Sequence, residues 1–221
     1  MLFPSIDLFG KNKIKLMNKI YTLNWEYSHS GDSERDAFHI PFENSDKSST
    51  IFLNPRYKDK LPNRILFRAN FNIIPDFDYP LTDLYVPILS DKMILLLTEI
   101  GHFKAIFTNV IMIDDTYLDE IYDERGGLKP ELETISNYKA LTIFNREKCF
   151  DFENSVYKPS ELNPNVPGYV KKLVLKPSEN LPPIFRIKEL PSELFITEKA
   201  KLSLELNNIK GCVFEEIEQS L

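Results

Sequence analysis

Cysteine is almost missing from this 221-residue sequence: Cys149 and Cys212 are the only two. So few thiols exclude a disulfide-stapled scaffold and a thiolate zinc cluster, and the pair reads as small buried hydrophobes in a reducing compartment. Glycine is scarce as well, seven in all, with only Gly126 and Gly127 adjacent. That leaves no phosphate-cradling loop and no dinucleotide fingerprint. The three histidines, His29, His39 and His102, have no spacing that would set two imidazoles on one helical face. Each reads as a polar-loop side chain. No apolar run approaches the roughly 18 residues of a membrane span; the longest, "MILLL" at 93–97, is far too short. Asp7, Lys11, Lys13 and Lys15 break up the N-terminal apolar residues, which argues against a secretory leader. The expectations are a cytoplasmic location and no cofactor or metal.

What remains is a chain with 43% hydrophobic and 12% aromatic residues, ample for a core. Short β-rich phrases, "KIYTLNWEY", "ILFRANF", "YKALTIFN" and "VKKLVLK", are bounded by Pro, Asn or Asp, as strands are. The fold class expected is α+β, a mixed or antiparallel sheet with a few helices. Residues 1–221 read as one domain, with two lobes sharing a sheet, about 1–125 and 126–221, as a finer division. Residues 1–16 read as an N-terminal extension ahead of the phrase opening at Met17. The polar 28–60 segment carries no assignable role.

One phrase is written twice. "PILSDKMILLLTEIGHFKAIF" (87–107) and "LFITEKAKLSLELNNIKGCVF" (194–214) align on a shift of 107. Ser90, Asp91 and Lys92 fall on Thr197, Glu198 and Lys199; Leu95 and Leu97 fall on Leu202 and Leu204; Ile106 and Phe107 fall on Val213 and Phe214. Just upstream, "PLTDLY" (80–85) parallels "PSELF" (191–195). Each copy, within about 80–110 and 190–216, has the form of a strand, a hydroxyl cap with an acid in the first turn, a helix and an exit strand. Ser90 and Thr197 are therefore expected as helix caps. "KAKLSLELN" alternates at period two, a strand signal, but its Ala, Leu, Lys and Glu content and the stop "NNIKG" favour a helix. The first helix, apolar all round, should be the more buried.

Charge is concentrated. Between Ile111 and Glu133 the acids Asp114, Asp115, Asp119, Glu120, Asp123, Glu124, Glu131 and Glu133 face only Arg125 and Lys129, a local net charge of −6 against −6 for the whole chain. That disfavours nucleic acid and anionic membranes as partners and favours a basic protein surface. Asp114, Asp115, Asp119, Glu120, Asp123 and Glu124 are the candidate partner-binding residues, the bland alternative being a solvated helix and loop. The spacing in "DDTYLDE" is not that of a calcium-binding EF-hand loop.

A resemblance rests on short phrases: Ile184-Phe185-Arg186, then Phe195-Ile196-Thr197-Glu198-Lys199 opening a helix, then Ile209-Lys210-Gly211-Cys212-Val213-Phe214. With "YTLNW", "PILSDKM" and "YKALTIFNREKCFDFENSVY", the chain from about Met17 resembles a family of immunity proteins of bacterial polymorphic toxin systems, the group named for a myxobacterial immunity protein. The resemblance implies a non-catalytic protein that binds and neutralises a cognate toxin domain by stoichiometric occlusion. The alternatives are a small enzyme with an unrecognised site and a structural or adaptor module.

Overall fold

A computed structural model of the chain describes residues 19–27, 35–84, 86–161 and 163–220. The expected 1–16 extension, His29 and Tyr85 lie outside those residues. In chain order the elements are β1 (Ile20–Trp25), β2 (Ala37–His39), α1 (Ser48–Leu53), β3 (Arg64–Ala69), β4 (Ile88–Ser90), α2 (Asp91–Ile100), β5 (Ile106–Asp114), β6 (Thr134–Thr142), β7 (Arg146–Glu147), β8 (Val156–Pro159), β9 (Pro167–Lys172), β10 (Val174–Leu175), β11 (Ile184–Ile187), β12 (Phe195–Thr197), α3 (Glu198–Leu206) and β13 (Cys212–Gln219). The protein is α+β.

The strands form two separate sheets and a hairpin. One sheet has the order β2-β3-β5-β6-β4, the other β10-β13-β1-β12-β11-β7, and β8 pairs with β9. The sheets do not divide the chain near residue 125. β6 completes the first sheet, while β1 sits at the centre of the second, between strands nearly two hundred residues later in sequence.

The written repeat is a structural repeat. β4 and β5 lie on either side of β6, antiparallel to it, and α2 connects them. β12 and β13 lie on either side of β1, antiparallel to it, and α3 connects them. Each unit is thus a strand, a helix and a parallel strand, split by an inserted antiparallel partner. The registers agree as well. Ile88 and Thr108 flank Ala140, and Phe195 and Glu215 flank Thr22; each member of the second pair stands 107 places after its counterpart, the same shift that aligns the sequences.

The caps show why these helices start where they do. Ser90 Oγ accepts from the Met93 amide at 3.1 Å, and Thr197 Oγ1 accepts from the Ala200 amide at a longer 3.4 Å, each satisfying an amide that lacks an intrahelical acceptor. Asp91 and Glu198 occupy the first turns, where the helix dipole favours an anion. At the far end of α3, Asn208 takes a left-handed φ of 51°, and the helix stops there. The alternation within α3 is explained by exposure: Ala200 and Leu204, four apart, are buried, while Leu202 and Leu206 face solvent.

α2 and α3 pack on each other, and one core joins them to both sheets: Met93, Leu97, Ala200 and Leu204 meet Leu89 and Leu141 of the first sheet and Tyr21, Leu23, Ile184 and Ile196 of the second. Alternation along the strands builds a core on each opposite face. Phe67, Ile88, Val110 and Tyr138 gather with Phe52 of α1, and Ile20, Phe185 and Phe195 gather with Cys149 and Phe150. Truncating a fully buried member such as Leu97 to Ala costs about 2–5 kcal/mol.

One short segment ties the two repeats together. The amides of Asp78 and Tyr79 both donate to the Lys210 carbonyl, at 3.0 and 3.1 Å. The Asp78 carboxylate accepts from Ser90 Oγ at 2.6 Å and from the Lys210 amide at 3.2 Å. The cap of the first helix and the exit from the second therefore share one carboxylate. Gly211, with φ +89°, lies so close that a Cβ there would stand 2.7 Å from the Tyr79 carbonyl oxygen.

Candidate functional site

The acidic stretch begins where β5 runs out. Asp114 closes the strand, and its Oδ1 accepts from the Thr116 amide at 2.9 Å and hydroxyl at 2.8 Å, which turns the chain. Ile121 and Leu132 then reach back and bury themselves against Leu66 and Ile113, with Ile40, Ile111, Tyr117 and Leu128 around them. Between those two anchors the chain makes a tight turn. The Asp123 amide donates to the Gly127 carbonyl at 2.8 Å, and Asp123 Oδ1 accepts from the amides of Arg125 and Gly127 at 2.9 and 2.8 Å. Gly126 supplies the left-handed φ of +76° that the turn requires. Arg68 of β3 donates from Nη1 to the Tyr117 carbonyl, pinning the near side.

The six candidate acids thus divide into two kinds. Asp114 and Asp123 spend their carboxylates on the loop's own backbone. Asp115, Asp119, Glu120 and Glu124 are exposed, so their charge is offered to solvent and to whatever approaches. No helix lies in this segment: it is a strand end and a loop held down by two apolar anchors, which fix the backbone from which the charges project.

The structure adds neighbours that charge alone did not reveal. Asp119, Glu120, Ile121 and Tyr122 line a groove of about 400 Å³ together with Phe38, His39, Ile40, Pro41 and Arg68. Phe38 is 52% exposed, Leu118 88% and Tyr122 36%. Apolar side chains thus lie exposed among carboxylates. His39 forms one wall: its Nδ1 lies 2.8 Å from Asp83 Oδ2 and its amide donates to Asp83 Oδ1 at 2.9 Å, so the imidazole is held half-buried. The signal that could have found this wall is the phrase "AFHIPF", in which an exposed Phe follows a buried Ala on an edge strand.

Burial pushes the thiols of Cys149 and Cys212 each up to about 12, so both are protonated at neutral pH and poor nucleophiles. Among the described residues no three His, Cys, Asp or Glu side chains gather where a metal ion could be held, and no helix is long and apolar enough to cross a membrane. Compared with known proteins, the chain matches no family model and no curated sequence.

Proposed function

We propose that this is an immunity protein of the cytoplasm that binds a cognate bacterial toxin domain and neutralises it by stoichiometric occlusion, with the acidic groove as its toxin-facing surface. One observation carries the reading: the stretch 111–133, with a net charge of −6 equal to the whole chain's excess, is anchored by Ile121 and Leu132 and set beside exposed Phe38, Leu118 and Tyr122. Long-range charge brings a basic partner in, and the apolar side chains then exclude water. An interface of roughly 800 Å² on each side is enough to cover an active site with no chemistry from the inhibitor.

The phrases that resemble polymorphic-toxin immunity proteins support the same reading from another direction. They fall on β1, on β4 and the start of α2, on the stretch from β6 to β8, and on β11 to β13, which takes in most of the duplicated framework together with β7, β8 and β11. The acidic loop lies outside them, as expected where a common frame presents a partner-specific surface.

The test is co-expression of the protein with the toxin domain encoded beside it, followed by affinity capture and a growth assay. A 1:1 complex that restores growth supports the proposal. Restored growth without a complex, or no restoration at saturating expression, would sink it.

A further inference from the structure

Two arginines face each other across the outermost strand pair of the six-stranded sheet. β11 and β7 pair in parallel with Arg186 opposite Arg146. Like charges at facing positions of a ladder destabilise it, and burial aggravates the conflict. Arg186 is only 2% exposed, and burial, reinforced by the charge of Arg146, brings its guanidinium down to about 10 against the opposing pull of Tyr79 and Glu193. Burial lowers Arg146 as well. Among the described residues neither guanidinium has a carboxylate within ion-pair distance.

Backbone carbonyls answer part of this charge. Arg186 Nη1 donates to the carbonyls of Pro191 and Ser192 at 2.8 and 2.6 Å and lies 3.3 Å from that of Glu193; Arg146 Nη2 donates to the Leu53 carbonyl. The Nε of both arginines and Nε1 of Trp25 are nevertheless buried without a partner. Such donors are rare in folded proteins and cost about 1–3 kcal/mol each. Three of them collect around one place. Arg186 and Trp25 line a cleft of about 340 Å³ together with Ser49 and Leu53 of α1. Arg146 lines an adjoining polar basin with Arg56 and Thr50, and Ser49 and Leu53 belong to both.

We propose that the Arg146–Arg186 pair seats an oxyanion, the head group of a small organic anion whose apolar part lies in the cleft beside Trp25. Guanidinium forks match planar or tetrahedral oxyanions, and the cleft has the size and apolar lining of a small-molecule site. An anion placed between the two facing cations offsets their mutual repulsion. The site is independent of the acidic groove and of any toxin.

The chain's single tryptophan lies in the cleft, so its emission, excited at its red edge, reads occupancy in the intact protein. Titrations would use phenyl phosphate and benzoate, with benzyl alcohol as the neutral analogue and sodium chloride at matched ionic strength. A saturable change with either anion and none with benzyl alcohol is the expected result; the anion with the lower Kd identifies the head group as phosphate or carboxylate. Arg146→Gln should weaken that Kd at least tenfold, and Arg146→Lys, which keeps the charge but loses the fork, should fall between. No saturable response to either anion, an equal response to benzyl alcohol, or an unchanged Kd in Arg146→Gln would overturn the proposal. Should Arg146→Gln fail to fold, the wild-type titrations against the neutral analogue still decide it.

Discussion

Gly211→Ala is the sharpest probe of how the two repeats are joined. At φ +89° an L-residue pays about 1–2 kcal/mol for the left-handed conformation. A methyl group 2.7 Å from the Tyr79 carbonyl oxygen and 3.1 Å from a Phe77 ring carbon also forces the backbone apart. The bonds at risk are those from the Asp78 and Tyr79 amides to Lys210 and from the Glu26 amide to Gly211. At about 0.5–1.5 kcal/mol each, losing two or three brings the expected loss to about 3–5 kcal/mol, a large part of the 5–15 kcal/mol typical of a domain. Gly126→Ala is the built-in control: its φ is +76°, but nothing lies within 4 Å of a Cβ there, so only the conformational cost of about 1–2 kcal/mol applies. Urea unfolding followed by Trp25 emission gives both values. Trp25 stacks on Tyr79 with ring centroids 5.5 Å apart, so the probe sits at the junction itself. Equal losses in the two variants would refute the claim that close approach, rather than backbone conformation, fixes glycine at 211.

Ser90→Ala should cost about 2–3 kcal/mol and Thr197→Ala about 0.5–1, because Ser90 both caps α2 and donates to Asp78 at 2.6 Å, whereas Thr197 caps at 3.4 Å only; the reverse order in thermal unfolding would contradict this. Neutralising Asp119, Glu120 and Glu124 together, while leaving the turn-forming Asp114 and Asp123, should slow association with the toxin about tenfold at 10 mM salt and about threefold at 150 mM, if the charges act at about 7 Å. Stopped-flow rates equal to wild type at low salt would remove the acidic loop from the interface. Stability should fall as pH rises from 8 to 9.5. With both native thiols held at about 12 and unfolded thiols near 8.5, the native state keeps protons that the unfolded state sheds, so the slope is negative and reaches at most about 1.4 kcal/mol per pH unit per thiol. A flat profile over that range would show that the thiols are not held protonated.

Much of the frame is legible in the sequence because it is written locally. A hydroxyl, an acid and a run of helix formers announce α2 and α3, and the shift of 107 announces their kinship. The alternation in "KAKLSLELN" misleads only because Leu202 and Leu206 are apolar and exposed, so that hydrophobicity does not report burial there. The pairing of β1 with β12 and β13 has no local signature, since nothing in "IYTLNW" names partners so far along the chain. The acids of the loop stand out by composition, but the division of labour among them depends on Asp114 and Asp123 meeting their own backbone. The arginine pair is hidden more deeply: "IFRI" reads as an apolar strand with one intruder, and only the parallel register with Arg146 shows that a second cation waits beside it.

The central place of β1 also shapes how the protein is made. Every strand of the five-stranded sheet comes from residues 37–142, so that sheet can close while the rest of the chain is still being synthesised. Ile20–Trp25 cannot: its partners are Phe195–Thr197 and Cys212–Gln219, and at about 5–20 residues per second they follow it out of the ribosome by roughly 10–40 s. For that interval the six-residue strand, rich in apolar and aromatic side chains, has no native neighbour. Among the described strands the earliest made waits for partners made last, and a chain stopped short of residue 195 would carry it unpaired.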